Sequence, residues 1–151
     1  MERDIKFRGK AIENGVWVYG AYYEHQPPLQ CIGKSKEKSR HFIIKTDFAD
    51  WGMPRQAVFD QVDPETVGQF IGLKDSKRTE EYPEGQEIYD NDILHNEEVL
   101  NYPVSIIFDK ELSAYMIHTQ SDFLGNAVYK YQLKVIGNAH DNPELLQGTQ
   151  L

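Results

Sequence analysis

The sequence predicts a mainly β fold, a small barrel or sandwich of short antiparallel strands, with at most one or two short helical turns. Three observations support it. Asn14-Gly15 sits between two runs of β-favouring residues, a strong hairpin cue because both residues tolerate positive φ. Short apolar runs recur along the chain, each bounded by Gly, Pro, Asn or Asp. Near the end, Tyr129, Tyr131, Leu133 and Val135 alternate with Lys130, Gln132 and Lys134, the period of two of a half-buried strand over Val128 to Ile136.

Taken in order, the first hairpin comes first. A two-residue loop at Asn14-Gly15 pairs Ile12 with Trp17 and Lys10 with Tyr19. One face then carries Ile5, Phe7, Gly9 and Ala11 against Val16, Val18, Gly20 and Tyr22. The other carries Lys6, Arg8, Lys10 and Ile12 against Trp17, Tyr19, Ala21 and Tyr23. A slip of one residue would exchange the faces.

After Pro27-Pro28 a polar run, Lys34 to Arg40, leads into a strand from His41 to Phe48. Gly52 and Pro54 interrupt the pattern before a second apolar run, Ala57 to Val62. Asp63-Pro64 reads as a turn or the cap of one helical turn, because Pro presets φ and Asp accepts from nearby amides. Thr66 to Leu73 resumes as a strand. Lys74 to Gln86 is charged, broken by Pro83 and Gly85, and reads as an exposed loop. Pro103 to Phe108 and Ala114 to His118 flank a turn at Asp109-Lys110-Glu111. Asn142-Pro143-Glu144 has a helix-start pattern, with Asn as N-cap and Pro at N1.

The chain has 151 residues, a length that suits one domain spanning 1–151. Its hydrophobic content of 40% and its nine Tyr suffice for a core and argue against disorder. The net charge of -8 favours solubility and disfavours indiscriminate attraction to phosphate backbones or anionic lipid. Cys31 is the single cysteine, which excludes an intramolecular disulfide and fits a reducing compartment. The opening MERDIKFRGK has no apolar segment of signal-peptide length, and no run of about 18 apolar residues occurs. A cytoplasmic protein without membrane contact is the expectation.

Three segments together resemble the phage-associated YopX family: IKFRGKAIENGVWVYG from Ile5 to Gly20; VDPETVGQFIGLKD from Val62 to Asp75, with EIYDNDIL from Glu87 to Leu94; and VIGNAHDNPELL from Val135 to Leu146. They stand at the beginning, middle and end, so the resemblance covers essentially the whole chain. The family pattern reads Glu-Gly where this chain has Asp90-Asn91, and Asn can fill a turn position that Gly would take. The spacer Ser76 to Gly85 is longer than the family's, as a loop insertion would be. The resemblance implies a phage or prophage origin in a bacterial host and oligomeric assembly; the aromatic residues on both faces of the first hairpin point to a homo-oligomer as well, and a phage or host protein is a further expected partner. It implies no reaction, so no catalytic residue is carried over, and no cofactor is expected.

Glu87, Asp90 and Asp92 gather at a turn, and oxygen-rich groups of this kind bind hard cations. A metal-dependent enzyme at the Asp90/Asp92 turn is one reading; a turn whose Asp and Asn side chains bond their own backbone is the simpler one. His25, His41, His95, His118 and His140 have no close metal-ligand spacing, and no metal site is assigned. Cys31 lacks the sequence surroundings of a catalytic nucleophile. The leading expectation is a non-enzymatic module that binds itself or a protein.

A second expectation rests on cations interleaved with rings. Lys6, Arg8 and Lys10 lie beside Trp17, Tyr19 and Tyr23, and Lys34, Lys36, Lys38 and Arg40 follow in one short run. Single-stranded nucleic acid is bound by such mixtures, cations tracking phosphates while bases stack on rings. The structural alternative is that the cations merely lie over the ring faces.

Overall fold

The computed structural model describes residues 4–29, 33, 37–47, 51–117 and 122–147. Cys31, His118, Lys34, Lys36 and Phe48 lie outside them. Ten strands form two antiparallel sheets, neither closed into a barrel among the described residues. The strands are β1 (Phe7–Lys10), β2 (Trp17–His25), β3 (Arg40–Thr46), β4 (Ala57–Gln61), β5 (Gly68–Lys74), β6 (Glu87–Tyr89), β7 (Asp92–His95), β8 (Val104–Asp109), β9 (Ala114–Ile117) and β10 (Lys134–Asn138), with one α-helix, α1 (Leu124–Tyr131). No helix among the described residues is long and apolar enough to cross a membrane. The chain divides into two compact units, Asp4–Gln69 and a second that runs from Phe70 to Leu151.

In the unit Asp4–Gln69, hydrogen-bonded neighbours run β4-β3-β2-β1, and β1 also pairs with the start of β5 through Arg8 and Gly68. The first hairpin forms with a different loop from the expected one. Lys10 faces Trp17 and Arg8 faces Tyr19, so the register lies two residues from the expected pairing. Ala11 N–H donates to Val16 O (2.9 Å) and Gly15 N–H to Ala11 O (2.8 Å), closing a loop over residues 12–15. A two-residue turn of the predicted type needs positive φ at both central residues. Here Gly15 has φ 68, whereas Asn14 is not left-handed; its side chain instead accepts from Val16 N–H (3.0 Å). Because the shift is two and side chains alternate with period two, the residues of the two paired strands keep their expected faces.

One face of this sheet is packed. Ile43 is fully buried, Val62 nearly so, and Phe7 meets Tyr22 at 5.6 Å between ring centroids. Gly9 lets the strand approach Val62 closely: a Cβ there would stand 3.0 Å from the Val62 side chain, which would have to shift by a few tenths of an ångström. The Tyr22 hydroxyl contacts His41 Nδ1 at 2.7 Å. Burial first, and the Glu24 charge second, hold the Tyr22 phenol above the ordinary tyrosine range. Asp63 caps the 3-10 turn Pro64–Thr66 as expected, accepting from Glu65 N–H (3.0 Å). Thr66 Oγ1 then accepts from Lys10 N–H (2.8 Å), tying this turn to the first hairpin.

In the unit from Phe70 onward, β10-β7-β8-β9 form a sheet whose apolar side chains pack with α1; Ile88, Leu94, Val104, Ile117, Leu124 and Leu133 are almost wholly buried. The helix corrects the expected strand from Val128 to Ile136. Leu124, Ala127 and Val128 make a buried stripe at helical spacing. The helix ends where Gln132 takes φ 49, and the strand begins only at Lys134. Tyr129, expected on the packed side, is exposed. The last helix-start pattern yields a 3-10 turn, Pro143–Leu146, but without a cap hydrogen bond from the Asn142 side chain.

A buried carboxylate secures this unit. Asp75, 2% exposed, accepts from Lys77 N–H (2.9 Å) and Gln86 N–H (2.7 Å) through Oδ1, and from Val135 N–H (2.8 Å) through Oδ2. It therefore joins both ends of the polar loop, whose tip is exposed, to β10. Ser76 adds bonds to Leu133 O (2.9 Å) and, through Oγ, to Val128 O (3.2 Å). Asp75→Ala leaves three backbone donors without their acceptor, and the expected loss is about 3 kcal/mol in urea unfolding. Asp75→Asn, which keeps one acceptor oxygen, should lose less. A loss below about 1 kcal/mol for the alanine variant would contradict this role.

Candidate functional site

Period-two alternation turns the register of β1 to β4 into a list of which residues share a face. Tyr23 faces Phe42, Ala21 faces Ile44, His25 faces Arg40, and Ile44 faces Phe59. Together with Arg8 opposite Tyr19 and Lys10 opposite Trp17, these residues form one continuous face. It carries five aromatic rings, those of Trp17, Tyr19, Tyr23, Phe42 and Phe59, and the cations Arg8, Lys10 and Arg40. The acids of these strands, Glu24 and Asp60, alternate onto the opposite face with Lys45, which pairs with Asp60 at 2.9 Å.

The rings are open to solvent to different degrees. Tyr19, Tyr23 and Phe59 are 50%, 45% and 55% exposed, far more than aromatic side chains of a packed sheet face. Phe42 and Phe59 meet edge to face, 6.3 Å between centroids at 81°. Trp17 is covered differently: the Arg8 guanidinium lies 4.8 Å and the Lys10 ammonium 5.8 Å from its ring centroid. Arg40 stands 5.9 Å from the Phe42 ring. Beside β2 and β3 a cavity of about 400 Å³ is lined by His25, Pro27, Pro28, Lys38 and Arg40, with Glu37 as an acid in its wall.

The expected binding residues are thus only partly assembled as expected. Lys10, Trp17, Tyr19, Tyr23 and Arg40 share the face; Lys38 is exposed at the nearby cavity, and Lys6 is half-buried just before β1. Arg8 is on the same face but only 6% exposed, so its guanidinium supports Trp17 and does not reach outward. Lys34 and Lys36 lie outside the described residues. Phe42 and Phe59 were missed. The signal for them was present in the alternation of His41 to Phe48 and Ala57 to Val62, but nothing local says which strands adjoin.

The carboxylate turn has a different organisation. Asn91 occupies the left-handed region with φ 66, as a substitute for Gly there must. Asp92 is buried and accepts from Tyr89 N–H (2.8 Å), while the Tyr89 hydroxyl donates to Glu87 (2.9 Å). Among the described residues, no three His, Cys, Asp or Glu side chains come together in a way that would hold a metal ion. His41 is engaged with Tyr22, and His95 Nε2 lies 3.0 Å from Leu100 O.

Among solved structures the chain is similar to the crystal structure of protein EF1440 from Enterococcus faecalis, at 20% identity and a TM-score of 0.52, over 97% of this chain and 100% of that one. At that identity the likeness concerns the fold alone. A comparison with functionally curated proteins gave no match. The pattern of the YopX protein family matches residues 6–147, nearly the whole length. The ordered sequence blocks and this match agree, and the chain belongs to the YopX family.

Proposed function

We propose that this YopX-family chain is a phage or prophage accessory protein of the bacterial cytoplasm that works by binding, not by catalysis, through the ring-and-cation face of β1 to β4. The charge segregation carries the reading: in a chain of net charge -8, this one face collects Arg8, Lys10 and Arg40, and the acids Glu24 and Asp60 alternate away from it. Its occupant supplies negative charge and tolerates flat rings. Two copies pressed together through this face would set cations against cations, which disfavours self-association here.

A cation exchanger tests this directly. A protein of this net charge would normally pass through phosphocellulose at neutral pH and low salt. The wild type is expected to be retained, and the double variant Lys38→Glu/Arg40→Glu to flow through. Wild-type flow-through removes the reading.

Self-assembly has a separate basis in the unit from Phe70 onward. Phe108 and Leu112 are 52% and 57% exposed at the end of β8 and in the turn after it, apolar positions suited to a protein neighbour. Light scattering at micromolar concentration is expected to give a multiple of 17.5 kDa, returned to 17.5 kDa by Phe108→Asp with Leu112→Asp. A wild-type mass of 17.5 kDa would remove self-assembly and leave the cationic face untouched.

A further inference from the structure

We infer that the occupant of the β1 to β4 face is a single-stranded nucleic acid, an inference that rests on the binding reading above and narrows it. Negative charge alone would suit an acidic protein equally well. The exposed rings separate the two. Tyr23 and Phe42 are direct cross-strand partners, and Phe59 stands edge-on to Phe42 at 6.3 Å, so three rings form a patch across β2, β3 and β4. Tyr19 extends the row along β2, four residues or about 13 Å from Tyr23. An antiparallel sheet that holds rings in the open between cations is a platform on which successive unpaired bases stack. In a duplex those ring faces are closed to side chains, so the platform selects single strands.

The cations fall where a backbone would pass. Arg40 and Lys38 adjoin the β3 end of the patch, and Lys10 adjoins the β1 end. The Arg8 guanidinium and the Lys10 ammonium lie over Trp17, which makes this ring a support for the cations, and the exposed Tyr23 and Phe59 are the stacking surfaces. Sequence selectivity is not expected, because every base has a π-face.

Fluorescence anisotropy with a labelled oligothymidylate and the intact protein tests the inference. With Lys10, Lys38 and Arg40 each meeting a phosphate, log affinity falls against log salt with a slope near -2, about a twentyfold loss between 50 and 200 mM. Tyr23→Ala and Phe59→Ala each weaken binding by about tenfold or more, while Tyr23→Phe, which keeps the ring, binds like the wild type. Both sites are about half exposed, and circular dichroism verifies that the alanine variants remain folded. A duplex of the same sequence should bind more weakly than the single strand. Ribo- and deoxyribo-oligomers are run in parallel; binding of either supports the inference, and any preference names the source.

Contrary outcomes are distinct. If polyglutamate competes as well as the oligomer and the ring variants change nothing, the occupant is an acidic protein surface and the nucleic-acid inference falls. A protein that phosphocellulose retains but that binds no oligomer at tens of micromolar overturns the inference while the binding reading survives. Flow-through on phosphocellulose overturns both.

Discussion

Strand register is the constraint on which everything proposed for this protein depends. Along a strand, side chains alternate strictly, so one pairing decides the face of every residue in the strands joined to it. With Lys10 opposite Trp17, Tyr23 opposite Phe42 and Ile44 opposite Phe59, the rings and cations of four strands arrive on one side. Ile43, Tyr22, Phe7 and the Lys45–Asp60 pair arrive on the other. A shift of one residue in any pairing would mix acids with cations and bury rings that now face water. Local devices hold the register in place: Gly15 in the left-handed region closes the first loop, and Thr66 takes the Lys10 amide.

The average charge and the local charge of this chain point in opposite directions, and geometry decides between them. A net charge of -8 repels polyanions at a distance. Within a Debye length of about 8 Å in physiological salt, however, the nearest charges dominate. On the open face of β1 to β4 those are cations. Such a surface attracts a polyanion at contact and not at long range. The other unit shows the complementary use of charge. There Asp75 is buried, and its oxygens organise backbone amides from the polar loop and from β10.

Much of this was legible in the sequence, for identifiable reasons. The Asp63-Pro64 turn was readable because its chemistry is local: Pro presets φ and Asp caps. The two faces of the first hairpin were readable although its loop was not, since the register moved by two and parity survived. The strand expected from Val128 to Ile136 failed because Tyr129, Tyr131, Leu133 and Val135 alternate across a helix end. The competing stripe of Leu124, Ala127 and Val128 covers only about one and a half turns, too short to outweigh that pattern. Arg8 was expected to reach solvent, but its burial depends on tertiary packing that no local pattern reports. Phe42 and Phe59 escaped notice for the same kind of reason, because their adjacency to Tyr23 exists only once β2, β3 and β4 pair.

The central claim, that register gives this protein one cationic binding face, is tested most directly by two identical charge changes on one strand. Arg40 and Lys45 both lie on β3, both are exposed, and they alternate onto opposite faces. Arg40→Glu and Lys45→Glu alter the net charge by the same amount, and the surface ion pair lost with Lys45 is worth about 1 kcal/mol or less. Oligothymidylate affinity measured side by side should fall severalfold or more for Arg40→Glu and stay near the wild-type value for Lys45→Glu. Equal losses would mean that overall charge, and not a face, governs binding, and would contradict the account.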